Sequence, residues 1–284
     1  MDVIINKKLR RKVKEVEIIW KESHNRFQDF SLWDEKINNS VTVNYKISII
    51  TTVMNRLHDI KQTLIKNITD NISYSNLEFV ILDYNSSDGL EEWVKNNLKE
   101  YINSGVVNYY RTTEPKYFSM AHSRNIAYKV ADGVIINNVD ADSYTDKGFV
   151  EYINLMANQT KLNKVIFAKS RQLLRGRIGF YKEAFFSLGG YNEEFNGYGH
   201  DDADIMHRAL YLGFMLMCYR KFSGCVSDHQ KHQEGNYKYP WWETEVQNRL
   251  LSYANLFSGK FVANKDREWG KAKLIKNFNE EVIT

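Results

Sequence analysis

The chain has 284 residues with 39 basic and 35 acidic side chains, a formal charge of +4, and its 43% apolar and 26% charged residues exclude a mostly disordered or fibrous protein. The basic excess is local: residues 1–14 carry Lys7, Lys8, Arg10, Arg11, Lys12 and Lys14 against Asp2, leaving 33 basic and 34 acidic groups in the other 270 residues. So neutral a body is no general nucleic-acid binder, and its length is enough to bury a sizeable core.

Residues 7–37 read as an amphipathic helix, with Leu9, Val13, Val16, Ile19 and Trp20 at spacings of three and four. The basic segment Lys7 to Lys14 lies on it, either as a solvated face or as a peripheral dock for an anionic membrane surface or a protein partner. From Lys46 the rhythm changes to apolar strand, turn and amphipathic helix. Residues 47–53 are a β-rich run, followed by a helical stripe of Leu57, Ile60, Leu64, Ile68 and Ile72. A second strand covers 77–83 and ends in the turn Tyr84 to Gly89; residues 90–102 read as one helix. A third strand (106–111), a helix (119–131) and a fourth strand (134–139) follow, the last stopping at Asp140-Ala141-Asp142.

Beyond Phe149 come short strands at 165–169 and 175–180, a helix at 181–188 closed by Gly189-Gly190, and a loop at 191–200 rich in Gly, Asn and aromatics. A helix over 201–212, a strand at 214–219 and a tail of one or two helices from Pro240 complete the chain. The implied organisation is a helical N-terminal extension (1–44), an α/β domain (45–237) and a C-terminal helical segment (238–284). Alternating β and α segments predict a mostly parallel sheet with helices on both faces, whose ligands bind beyond the carboxyl ends of the strands. Asp83, Asp88, Asp140 and Asp142 all fall there.

Cys218 and Cys225 form no disulfide framework and read as two small buried side chains. No apolar run approaches a membrane span and no signal-peptide pattern opens the chain, so a cytoplasmic protein is expected. The G-x-G-x-x-G dinucleotide fingerprint, the P-loop, H-E-x-x-H and G-x-S-x-G are all absent. A parallel sheet without glycine phosphate loops needs another way to hold an anionic ligand, and a divalent cation between carboxylates and phosphates is the simplest.

D-x-D occurs twice, at 140–142 and 202–204, where about one chance occurrence is expected from 16 Asp residues, so the motif alone decides nothing. The first copy gains weight from the apolar strand before it, because side chains at i and i+2 point the same way and two facing carboxylates invite a cation. Turn and helix-cap aspartates are the alternative.

An ordered set of segments resembles the family 2 glycosyltransferases with the GT-A fold. The set comprises residues 50–56 (ITTVMNR), Phe79 to Gly89 in place of V-D-D-G-S-x-D-G, residues 121–127 (AHSRNIA), Asp140-Ala141-Asp142, and residues 197–204 (GYGHDDAD). The stretch from Gly189 to Asp204 also looks like the W-G-x-E-D acceptor-side signature of galactosyl- and N-acetylgalactosaminyltransferases. The resemblance implies an α/β GT-A fold and a metal-dependent inverting transfer, from a nucleotide-sugar donor, UDP-linked by this match, to a glycan, lipid-linked or other hydroxyl acceptor, as in glycan or polysaccharide synthesis. It further implies that Thr51, Val53, Asn55, Arg56 and Asp83 recognise the base and that Asp140 binds the ribose. Asp142 would hold Mn²⁺ or Mg²⁺, with His229 (or His232) completing the metal site, and Arg124 would meet the diphosphate charge. Asp202 would be the catalytic base and Asp201 the ligand of an acceptor hydroxyl. Tyr84 and Asn85 depart from the second Asp and the Gly of V-D-D-G-S, and Asp201 stands where Glu is usual.

Independently of any family, attack of an alcohol on an anomeric carbon needs a carboxylate to take the proton. Helix-capping acids are the alternative for Asp201, Asp202 and Asp204. Tyr191, Tyr198, Trp241 and Trp242 are candidate stacking surfaces for a sugar ring, or core residues. The competing function is a non-catalytic GT-A-like module that binds a glycan or partner.

Overall fold

The computed structural model describes residues 28–29, 41–160, 162–169, 177–219, 224–226 and 235–284. The basic stretch 7–14, most of the N-terminal extension, His229 and His232 lie outside these.

After the short β1 (Gln28–Asp29), the expected alternation appears: β2 (Ile47–Val53), α1 (Leu57–Asn71), β3 (Leu77–Tyr84), α2 (Leu90–Asn97), α3 (Lys99–Asn103), β4 (Val107–Thr112), α4 (Met120–Val130) and β5 (Ile135–Asn138). The single helix expected over 90–102 breaks at Leu98, which leaves helical geometry (φ −115°, ψ 9°) and is fully buried. Next come α5 (Phe149–Asn158), β6 (Val165–Lys169), β7 (Ile178–Tyr181), α6 (Lys182–Ser187), α7 (Asp201–Tyr211), β8 (Met215–Tyr219), α8 (Trp241–Phe257), β9 (Lys273–Lys276) and β10 (Glu280–Ile283).

Among the described residues, ten strands form one sheet in the order β1-β8-β6-β7-β5-β2-β3-β4-β9-β10. β2 runs parallel to both β3 and β5, and β3 parallel to β4. These strands read as continuous apolar runs because both faces are covered: Ile47, Ile50, Val80, Ile81, Leu82, Ile135 and Ile136 are all fully buried. β7 runs antiparallel between β5 and β6. The chain builds outward from β2 through β3 to β4, then crosses back to lay β5 on the other flank of β2. That reversal is a topological switch point, and it opens a crevice at the carboxyl ends of β2 and β5.

The loop after β5 is held by a polar stripe on α1. Thr63 Oγ1 donates to the Ala141 carbonyl (2.6 Å), Asn67 Nδ2 to the Ser143 carbonyl (2.9 Å), and the Val150 amide donates to Asn71 Oδ1 (3.0 Å). All three side chains are buried, one helical turn apart. Ile72, read as the last member of the apolar stripe, instead caps α1 and is 47% exposed.

The tail differs from an all-helical segment. α8 is present, but β9 pairs antiparallel with β4, and β10 with β9, extending the sheet. The run Lys273-Leu274-Ile275-Lys276 has strand alternation, with Leu274 buried between outward neighbours, and Asn277 and Phe278 take left-handed φ values of 47° and 76° in the turn. Phe278 packs on Tyr109 with ring centroids 5.1 Å apart. Cys218 is buried as expected, but Cys225, which forms an isolated antiparallel bridge with Ser143, is exposed.

Gly189 fastens the turn before Tyr191 to the tail. Its φ is +69°, and an added Cβ would lie 1.9 Å from the Ala263 carbonyl oxygen. Gly189→Ala is expected to cost about 2–5 kcal/mol, the left-handed penalty plus a forced backbone shift, read as a lower urea midpoint at unchanged slope.

Candidate active site

Asp140, Ala141 and Asp142 leave the end of β5 under tight control. The Val139 amide donates to the Ile50 carbonyl (2.8 Å), and Thr51 Oγ1 at the end of β2 donates to the Val139 carbonyl (2.8 Å). Ala141 turns inward at 5% exposure, while the Asp140 and Asp142 side chains keep 39% and 23% of their surface accessible. Asn138 Nδ2 donates to Asp140 Oδ1 (3.0 Å). Asn138 lies two residues before Asp140, and that spacing was the available signal for a partner the sequence reading missed.

Arg124 on α4 gathers the acids. Its side chain is 1% exposed; Nη2 donates to Asp140 Oδ1 (3.3 Å), and Nη1 to Asp202 Oδ1 (2.7 Å) and to Asp201. Asp201 and Asp202 occupy the first turn of α7, some sixty residues beyond the end of β5. Burial works against the guanidinium's charge, but Asp202, Asp201 and Asp140 more than reverse it, raising its pKa well above the ordinary arginine value. Arg124 is therefore enclosed by carboxylates, with its Nε buried and without a partner, rather than reaching outward as a diphosphate ligand would. Tyr191, fully buried, donates its hydroxyl to Asp202 Oδ1 (3.3 Å) and lies under the Arg124 guanidinium, 5.4 Å from the ring centre. Burial above all pushes the Tyr191 phenol far up, so it stays a donor.

The third acid of this turn points elsewhere. Asp204 accepts from Arg208 Nε (2.7 Å) and Ser252 Oγ (2.7 Å) and is 1% exposed, tying α7 to α8. Arg208 in turn donates to the carbonyls of Leu188 and Gly190. The second D-x-D is thus divided, with Asp202 in the crevice and Asp204 in the core, because residues two apart on a helix face different ways.

On the β2 side, Arg56 Nη2 donates to Asp142 Oδ2 (3.1 Å) and its Nε to the buried Asp59. Burial lowers the Arg56 pKa, but Asp59 and then Asp142 raise it further, for a net increase. Asn55, left-handed at φ 52°, accepts from the Ser87 amide (2.7 Å), and its amide donates to Ser86 Oγ (3.0 Å); its Nδ2 donates to Asn236 Oδ1 (2.8 Å). Val53 is buried in β2.

Asp83 is not part of the carboxylate cluster. It is fully buried at the end of β3, accepting from the Tyr109 hydroxyl (2.6 Å) and the Ser86 amide (2.7 Å), with Arg111 Nη1 at 3.6 Å. Burial raises its pKa, partly offset by those donors. No sequence signal linked Tyr109 to it, because the contact runs between neighbouring strands, β3 and β4, far apart along the chain. Tyr84, at the position of the expected second Asp, is also buried. Its hydroxyl donates to His122 Nδ1 (2.7 Å), whose Nε2 donates to the Lys271 carbonyl (3.1 Å).

Around the crevice, the carboxylates of Asp59, Asp140, Asp142, Asp201 and Asp202 face the guanidinium groups of Arg56 and Arg124, an excess of three negative charges among the described residues. An anionic ligand would meet repulsion in so negative a site unless a cation accompanied it. No group of three or more His, Cys, Asp or Glu among the described residues is placed to hold a metal ion. Asp140 and Asp142, the most accessible of these carboxylates, would suit the mode in which Mg²⁺ or Mn²⁺ is shared between one or two carboxylates and substrate phosphates.

The family model for Glycosyl transferase family 2 matches residues 48–196, more than half of the chain, and that for the N-terminal domain of galactosyltransferase matches residues 166–233. No curated protein matches the chain. Among solved structures, it is similar to the mannosyltransferase PcManGT from Pyrobaculum calidifontis in complex with GDP-Man and Mn²⁺, at 17% identity and a TM-score of 0.57 over 88% of this chain and 76% of that one. GalNAc-T7 with UDP, GalNAc and Mn²⁺ matches at 14% identity and 0.56, over 75% of this chain and 49% of its own. S. aureus TarS 1–349 in complex with UDP-GlcNAc matches at 14% and 0.54, over 70% and 64%. At these identities the structural likeness establishes the shared GT-A fold, and among the described residues no helix is long and apolar enough to cross a membrane. The family match, the fold and the crevice at the switch point lead to one assignment: the chain belongs to glycosyl transferase family 2 and is a glycosyltransferase.

Proposed function

We propose that the enzyme transfers a sugar from a nucleotide-sugar donor to a hydroxyl acceptor with inversion, using Asp202 as the base. The observation that carries this reading is the convergence on Arg124 of Asp140, from the end of β5, and Asp201 and Asp202, from the start of α7. Donor-side and acceptor-side carboxylates then share one crevice. Asp202 Oδ1 is held by Arg124 and Tyr191, which aims the carboxylate that would take the acceptor's proton. Asp201 lies beside it to orient the same hydroxyl.

On the donor side, Asp142 and Asp140 would hold Mn²⁺ or Mg²⁺. When bound, the cation supplies the counter-charge for the departing diphosphate. Arg56, half-exposed beside Asp142, is the side chain with reach toward the phosphates. Asp140 would take the ribose, and Thr51, Val53 and Asn55 would form the wall against the base. Asp83, being enclosed, would contribute by holding the Asn85-Ser86 turn against Asn55. The uridine nucleotide is proposed because residues 166–233 match the galactosyltransferase model and two of the similar structures hold UDP or UDP-GlcNAc.

Calorimetry tests the donor side. Wild type is expected to bind UDP with Mn²⁺ and weakly without it, whereas Asp142→Ala loses the metal-dependent part of the affinity, about tenfold or more, and keeps its melting temperature. Equal UDP affinity with and without Mn²⁺ in wild type would refute the metal-dependent reading.

A further inference from the structure

The four aromatic candidates for sugar stacking part ways in the structure. Tyr191 is fully buried beneath Arg124. Trp242 is 60% exposed and shares the outer face of α8 with Val246 and Leu250, at spacings of four. Trp241, 44% exposed, lies about 100° round the helix from it, on the flank of Thr244 and Asn248. That flank binds the loop leading to the acids: Thr244 Oγ1 donates to the Tyr198 carbonyl (2.9 Å), and Asn248 Nδ2 to the carbonyls of Asn196 (3.0 Å) and Gly199 (2.9 Å).

The Trp241 ring meets the Tyr198 ring edge to face, with centroids 6.3 Å apart and planes at 88°. Tyr198 in turn packs on Tyr237 (5.9 Å), which packs on Phe118 (6.0 Å). The Tyr198 phenol is pushed up to about 12, chiefly by burial and then by Asp201, with Asp140 and Asp202 also acting on it, so its polar tip lies within the field of the carboxylates. A half-exposed indole is thereby held against the loop that leads into the acids at the start of α7.

We propose that Trp241, braced by Tyr198, is a stacking platform for a pyranose ring of the acceptor, so that the enzyme acts on saccharide hydroxyls. This rests on the base role of Asp202, which makes the α7 side the acceptor side. A pyranose presents an apolar C–H face to an aromatic ring and hydroxyls at its rim, and the platform offers an indole braced on Tyr198, which itself lies near the carboxylates.

The test uses the full chain with UDP and Mg²⁺, and saturation-transfer NMR with methyl β-D-glucoside, methyl β-D-galactoside and the two corresponding N-acetylhexosaminides as probes. Glycerol and N-acetylserine amide serve as non-sugar alcohols. At least one glycoside is expected to bind wild type; Trp241→Ala and Trp241→Leu should weaken it about tenfold, Trp241→Phe should restore most of the affinity, and Trp242→Ala should match wild type. Absence of glycoside binding, equal binding by the Trp241 variants, or equal binding of the non-sugar alcohols would overturn the platform. Failure of the donor reading is seen separately, as loss of metal-dependent UDP binding in wild type.

Discussion

Asp202→Asn is expected to fold and bind UDP like wild type while losing about 10²–10⁴-fold in transfer rate, the range for removing a general base. The substitution is conservative in the terms that matter for folding. Oδ1 is the atom that accepts from Arg124 Nη1 (2.7 Å) and the Tyr191 hydroxyl (3.3 Å), and an amide oxygen can accept both. What disappears is the capacity to take a proton. Steady-state kinetics with the transferable donor, alongside melting curves and UDP calorimetry, separates the two effects. Turnover within a few-fold of wild type would remove Asp202 from the mechanism and leave Asp201 as the base to be tested.

Arg124→Met should produce the largest loss of stability. The arginine is enclosed, and its removal leaves Asp140, Asp201 and Asp202 together without their shared cation. Breaking a buried ion pair from one side costs about 3–5 kcal/mol, which for a domain of this size lowers the melting temperature by about 6–20 °C. Because the penalty comes from crowded negative charge, the gap to wild type should narrow on acidification, as the carboxylates of the variant take up protons. Arg124→Lys should fall between the two, keeping a charge but not the fork that reaches several carboxylates at once. A pH-independent loss would mean that Arg124 acts by packing alone.

The acids of the candidate site were legible along the chain because each stands at the end or start of a regular element. Asp140 and Asp142 were marked by the apolar run before them, and Asp202 by acids following a glycine- and aromatic-rich loop. Partners were less legible. Thr63, Asn67 and Asn71 have helical spacing, yet polar residues opposite an apolar stripe ordinarily face water; here they bind the loop after β5. The tail read as helical because its aromatics dominate the pattern, while four-residue strands carry too little periodicity to register.

In the central α/β alternation from β2 to β5, which segments are strands, where they end and which acids stand there was determined by the sequence itself, since backbone periodicity and burial act over a few neighbouring residues. The division of like residues between unlike tasks was decided only by the tertiary structure. Asp202 and Asp204 are two apart, yet one faces the crevice and the other Arg208 and Ser252; Trp241 and Trp242 are adjacent, yet one meets Tyr198 and the other faces out. Asp83 and Arg124, expected at the ligand, are enclosed by Tyr109, Ser86 and the three carboxylates. The physical reason is that a charge's role depends on which distant groups share its low-dielectric surroundings, and chain crossing, not spacing, brings those groups together.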